Sequence, residues 1–179
     1  MNPRRTLEAF DRFLVERQLG LEAVVIGGTA LNLLGVIDRA TRDCDILHPS
    51  LPTEVVAASV AFAVAVRRAG GVLAEDWLNN GPSSLTKHLM GGWDVRLQSV
   101  FAGRAITLRS LGRLDFLCAK LWALCDRGID LGDCIALAPT VSELAEVLPW
   151  LEQQDANPDW PTHVLESLTD LGRRLGHGV

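Results

Sequence analysis

Lysine is almost missing from this chain. Of 17 basic residues only Lys87 and Lys120 are lysines, and the other 15 are arginines. Genome base composition accounts for an arginine bias in general, but it leaves each surviving lysine to be explained. Long hydrophobic runs are missing too. The longest, Val55 to Val66, ends at Arg67-Arg68 and falls short of the roughly 20 apolar residues that cross a bilayer. Met1 to Arg5 is basic, but Leu7 to Leu19 is charged and periodic, unlike the apolar centre of a secretion signal. These absences predict no membrane partner and a cytoplasmic address.

Paired cysteine motifs are also lacking. Cys44, Cys118, Cys125 and Cys134 show no CxxC spacing and no histidine nearby, so nothing points to a zinc cluster. Cys118 and Cys125 lie seven apart in a helical pattern, share a face, and read as reduced core thiols. His48, His88, His163 and His177 show neither metal nor triad spacing, and no catalytic role is assigned to them. No internal repeat or low-complexity tract interrupts the chain.

What is present is a globular composition: 179 residues, 48% hydrophobic, 22% charged, with a net charge of −5. That length suits one domain, or one domain with a helical appendage, and the apolar fraction excludes intrinsic disorder. The acidic balance argues against coating nucleic acid through bulk charge, though not against a local basic groove.

Periodicity predicts a helix over 5–18 with Leu7, Phe10, Phe13 and Leu14 on one stripe, and a buried strand over 23–26. A short apolar helix over 29–34, a strand over 43–47 and an Ala/Val-rich helix over 52–68 follow. Residues 76–82 read as a loop or single turn; Trp77 there is an anchoring aromatic, or with Asn79-Asn80 closes over a base. Residues 93–100 alternate like a half-exposed strand, and 105–108 form another. Helices are expected over 111–126, 132–138, 141–154 and 161–175. The expectation is an α+β fold, a short mixed sheet flanked by helices over 1–109, with a C-terminal helical bundle over 110–179 packed on it.

The stretch that carries chemistry is Val24 to Leu47. A buried strand delivers the chain to Gly27-Gly28, where missing side chains let a ligand approach the backbone. A helix starts there, through Thr29, and its amide end favours anions. Asp43 and Asp45 then sit two apart on a strand, so both carboxylates leave one face while Cys44 and Ile46 point into the core. Two neighbouring carboxylates repel each other unless a cation joins them, and hard divalent ions prefer such oxygens. Either alone is ordinary: a Gly-Gly after a strand is commonly a tight turn, and an Asp-x-Asp is often edge decoration. Arg39 and Arg42 flank the pair; one of them is a candidate phosphate contact and the other a surface residue.

The order and spacing together, Gly27-Gly28, Ala30, Thr41, Asp43, Asp45, resemble the polymerase-β-like nucleotidyltransferase superfamily. Within it they resemble the small AbiEii-like toxin-type enzymes. The strong match covers about 25 residues, and Gly28 stands where the wider superfamily most often has Ser. The resemblance implies that Gly27, Gly28, Thr29 and Arg42 bind a nucleoside triphosphate and that Asp43 and Asp45 hold catalytic Mg²⁺. It also implies a third acid from a later, adjacent strand, for which Asp94 is the candidate; the alternative is an exposed strand Asp paired with Arg96 or Arg109. In the segment 114–133, Lys120 stands among Leu117, Leu121 and Leu124 and must either reach the surface or meet a negative partner. By the resemblance that partner is phosphate, and Asp130 and Asp133 are cleft residues near the acceptor. The other reading of Asp126 to Asp133 is a solvated, helix-capping turn. The implied reaction moves NMP to an acceptor hydroxyl, a tRNA end or a protein side chain, in a toxin role with a cognate antitoxin. Two rivals stand beside it: a small-molecule acceptor of the aminoglycoside kind, and an inactive fold that binds nucleotide or a partner.

Overall fold

The computed structural model describes residues 1–178. The chain forms two compact units, one made of Met1–Lys87 with Asp94–Leu111, the other of His88–Trp93 with the chain from Gly112 onward.

The first unit is α+β. Its element order is α1 (Pro3–Val15), β1 (Leu21–Ile26), α2 (Gly27–Leu33), β2 (Cys44–His48), α3 (Thr53–Arg68), β3 (Leu78–Asn79), β4 (Gln98–Ala102) and β5 (Ile106–Ser110). The strands form one mixed sheet in the order β3-β2-β1-β5-β4. β1 runs antiparallel to β2 and parallel to β5, while β3 runs parallel to β2. A mixed sheet flanked by helices is the architecture the periodicity predicts.

The strands read as half-buried. Along β5 Ile106, Leu108 and Ser110 are buried while Thr107 and Arg109 are exposed. Helix α1 turns Leu7, Phe10 and Leu14 inward. Phe10, Phe62 of α3 and Trp77 form an aromatic cluster, with Trp77 edge-on to Phe10 at 5.1 Å between centroids. Trp77 is fully buried and its indole N–H donates to Ser59 O at 3.2 Å. It is therefore an anchor and does not close over a base.

Asp11, on the apolar stripe of α1, is buried and ties the helix to the β4–β5 turn. Its carboxylate accepts the backbone N–H groups of Arg104, Ala105 and Ile106 at 3.1, 2.8 and 2.8 Å. A Cβ on Gly103 would lie 2.2 Å from Asp11 Oδ1, so only glycine fits there.

Two expectations need correction. The strand predicted over 93–100 begins only at Gln98; Trp93–Val95 is a single 3-10 turn. Gly92, with φ +75°, turns the chain, and Trp93 N–H closes a local bond to Met90 O at 3.2 Å. An alternation of only a few residues is compatible with either form, and the glycine turn decides for the tighter one. The second correction concerns 76–82, which holds the short strand β3 and the start of a 3-10 helix over Gly81–Lys87.

The second unit is helical: α4 (Arg113–Arg127), α5 (Leu131–Leu137), α6 (Val141–Leu151) and α7 (Trp160–Arg174). Gly128, in the left-handed region at φ +64°, ends α4. Thr140 and Glu143 form a reciprocal capping box at the start of α6. Trp122 packs edge-on to Trp150 and lies 5.0 Å from the His88 ring. All four cysteines are free and buried, as their spacing predicts. Burial pushes the Cys125 thiol up to about 11, and burial together with the Asp130 charge pushes Cys134 up to about 12.

Candidate active site

The site is built where β1 ends. Ile26 pairs with Asp45 across the β1–β2 ladder, and the next residue, Gly27, starts α2. Gly27 takes φ +69°, and a Cβ there would stand 2.9 Å from Asp45 Oδ2. A side chain at this position would collide with that carboxylate oxygen, so glycine leaves the oxygen clear. No side chain caps the start of α2 at Ile26. The helix is only seven residues long, so close backbone approach contributes more here than a macrodipole does.

Asp43 and Asp45 are both half-exposed and flank Cys44, which is fully buried. This is the alternation expected of the pair, although the ladder itself starts at Cys44, so Asp43 lies just before the strand. Burial, together with the negative charges of Asp45 and Asp43, pushes the Cys44 thiol far up, so it is an inert core group.

The approach to Asp43 is held from beneath. Thr29 is buried and its hydroxyl donates to Asp43 O at 2.6 Å, while lying 3.2 Å from the Thr41 hydroxyl. The Thr29 side chain is thus spent on ordering the carboxylate loop, which leaves only its backbone for a ligand. A Cβ on Gly28 would meet Thr41 Cγ2 at 3.0 Å, which gives a steric reason for glycine here. Asn32 further pins the loop, donating to Ile37 O and Arg39 O at 3.3 Å each.

Arg42 is exposed at the rim and makes a loose 3.5 Å ion pair with Asp76, which is also exposed. Asp94 is exposed in its 3-10 turn and lies on no strand of the sheet, so the register that made it the third acid is absent. Nor does it pair with Arg109, which bonds Glu22 at 3.0 Å. The residue beside Asp45 on the neighbouring strand is Asn79, whose amide N–H donates to Asp45 Oδ1 at 3.1 Å. A polar residue just after the buried Trp77 was the only signal for it in the sequence.

The helical unit gathers a second set of candidates. Lys120 is buried, and its ammonium donates to Asp130 Oδ2 at 3.0 Å and Asp133 Oδ2 at 2.8 Å. The negative partner that a lysine on this apolar face requires is thus supplied by the chain itself. Asp130 takes a left-handed backbone, φ +67°, an uncommon conformation for a residue with a side chain. Arg113, absent from the candidates, makes a two-pronged pair with Glu143 at 2.5 and 3.0 Å and also donates to Leu137 O at 3.0 Å.

Two adjacent carboxylates on an open face, with glycine backbone alongside, fit a hard divalent cation that brings further oxygen ligands of its own. Among the described residues no group of three or more His, Cys, Asp or Glu side chains is arranged to hold a metal. No described helix is long and apolar enough to cross a membrane.

No curated protein and no solved structure matches this chain. A protein family does, the one described as a nucleotidyltransferase of unknown function, DUF6036, over residues 5–137, a span that holds Gly27, Asp43, Asp45, Lys120 and Asp133. The chain belongs to that family of nucleotidyltransferases.

Proposed function

We propose that this protein is a Mg²⁺-dependent enzyme that moves NMP from a nucleoside triphosphate to an acceptor hydroxyl. The acceptor oxygen bonds to the α-phosphorus, the bond to the β-phosphate oxygen breaks, and pyrophosphate and the hydroxyl proton are released. The observation that carries this reading is the place of Gly27 beside Asp45: a Cβ there would stand 2.9 Å from the carboxylate, so only bare backbone fits next to an oxygen able to take a cation.

In this reading Asp43 and Asp45 hold Mg²⁺, which supplies charge neutralisation on the phosphates and a more acidic acceptor hydroxyl. Gly27 and Gly28 give the triphosphate room to lie against the main chain, and Arg42 is free to swing from Asp76 to phosphate. Thr29 keeps Asp43 in place through its carbonyl.

The AbiEii-like resemblance supports a tRNA or protein acceptor in a toxin role, with an antitoxin as partner. One observation favours a cationic small-molecule acceptor instead. The chain carries 22 acidic residues against 17 basic ones, a balance that attracts a cation more than an RNA. Transfer of radiolabel from each of the four NTPs to total tRNA, to purified protein and to a panel of polycationic small molecules separates the two. Incorporation into one of them, abolished in Asp43→Ala and Asp45→Ala, is the expected result. Mg²⁺-nucleotide binding with no incorporation into any acceptor would overturn the enzymatic reading in favour of a binding protein.

A further inference from the structure

Strand β3 is two residues long, too short to gain much from its own ladder, yet it places Asn79 in register with Asp45. It is firmly anchored. The preceding Trp77 is fully buried, and Cys44 N–H donates to Trp77 O at 2.5 Å. The next residue, Asn80, grips the far end of β2, donating to Ile46 O and Pro49 O at 3.0 and 3.1 Å and accepting from Leu51 N–H at 2.7 Å. The tandem asparagines therefore clamp one strand between them.

The Asn79 amide is committed at both ends. Its Oδ1 accepts Gly81 N–H at 2.7 Å, and its Nδ2 donates to Asp45 Oδ1 at 3.1 Å. Because a backbone N–H can only donate, the oxygen must face Gly81 and the amino group must face Asp45. Asp45 is thus held at Oδ1 by the amide, while Oδ2 lies 2.9 Å from where a Cβ on Gly27 would stand.

A neutral donor at this place also sets the charge. A carboxylate here would put a third acidic oxygen within bonding distance of Asp45, an arrangement that like-charge repulsion disfavours unless a cation or a shared proton joins the two. With Asn79 the site holds two carboxylates, and two carboxylates leave a six-coordinate hard cation needing most of its oxygens from elsewhere. We propose that Asn79 is the positioning residue of this site, orienting Asp45 and limiting the site to two carboxylates, so that the divalent cation binds as its complex with a polyphosphate. This rests on the nucleotidyltransferase reading above.

The test is Mn²⁺ binding by the full chain, read from the electron-paramagnetic-resonance signal of free Mn²⁺, with and without each of the four NTPs. Wild type binds Mn²⁺ at least about tenfold more tightly with its preferred nucleotide than without, since phosphate oxygens complete the coordination. Asn79→Ala loses about tenfold of that nucleotide-assisted affinity, the usual effect of removing a donor to a charged group. Asn79→Asp keeps the acceptor for Gly81 N–H but replaces the donor by charge, and it gains affinity for Mn²⁺ alone. A merely structural asparagine predicts no such gain, and if Asn79→Ala fails to fold, the Asn79→Asp arm decides. Wild-type Mn²⁺ affinity in Asn79→Ala, or no gain in Asn79→Asp, overturns the proposal while leaving the nucleotide reading intact. Asp45→Asn binding Mn²⁺ and every nucleotide as wild type does would instead overturn the reading on which it rests.

Discussion

Gly27 and Gly28 are glycines for different reasons, and each reason has its own consequence. At Gly27 the left-handed backbone and the 2.9 Å at which an added Cβ would meet Asp45 Oδ2 act together. Gly27→Ala should cost about 1–3 kcal/mol of stability from strain and remove nucleotide-dependent Mn²⁺ binding as well, checked by denaturant melts and titration. At Gly28 the backbone is ordinary and only Thr41 Cγ2, 3.0 Å away, stands in the way. Gly28→Ser should destabilise by about 1 kcal/mol, and Thr41→Ser, which deletes that methyl, should recover most of the loss. A double-mutant cycle measures the coupling; additive effects would refute the steric account.

At the scale of elements, two carboxylates staple parts of the chain that hydrophobic patterning alone leaves loose. Asp11 gathers three backbone N–H groups of the β4–β5 turn. Asp11→Ala leaves those donors without their partner, the Ile106 N–H among them buried, and should cost about 3 kcal/mol, with faster hydrogen exchange at Ala105 and Ile106 as its local signature. In the helical unit Glu143 joins the α6 capping box to Arg113 of α4. Both staples were partly legible. A carboxylate at 11 sits among Leu7, Phe10 and Leu14, where solvated acids do not belong, and Thr140-x-x-Glu143 is a capping-box spacing. Their partners were not legible, because Arg104 to Ile106 is more than ninety residues from Asp11 and Arg113 is thirty from Glu143.

Across the whole molecule these two staples set the response to acid. Burial raises the Asp11 pKa, but the amides of Ala105, Arg104 and Ile106 and the Arg104 charge lower it more, so it ends below its ordinary value. The Arg113 hydrogen bonds outweigh burial at Glu143 and bring it down to about 2. A carboxylate depressed by folding stabilises the native state above its unfolded pKa of about 4, and that contribution fades as pH falls through the folded value. Melting temperature should therefore drop between about pH 4 and pH 2. Glu143→Gln should cost about 1–2 kcal/mol of stability at pH 7, given the half-exposed Arg113, and should flatten the decline in melting temperature below pH 4. An unchanged slope would exclude the pair as a source of acid sensitivity. The division of the chain makes a separate prediction. Leu89 lies in a Gly-bordered stretch that looks like surface loop, yet it is buried and belongs with the helices. Leu89→Ala should cost about 2–3 kcal/mol, whereas the exposed Val95→Ala should change stability by less than about 0.5 kcal/mol, measured by chemical unfolding.

The near-absence of lysine, the free cysteines, the helix and strand periods and the Gly27-Gly28 to Asp43-x-Asp45 spacing were all determined by the sequence itself. Each is a local property, carried by composition or by residues within one or two elements. So the α+β class could be read directly from the chain, and so could the segment that holds the candidate site. The tertiary structure decided which residue stands beside Asp45. Alternation in 93–100 pointed to Asp94, but a glycine turn closes that stretch into a 3-10 turn, and a two-residue strand too short to leave a period brings in Asn79. The tertiary structure also decided that the partners of Lys120 are Asp130 and Asp133. Those choices depend on register and on side chains meeting across elements, where a single hydrogen bond or one missing Cβ selects among residues that the local pattern treats alike.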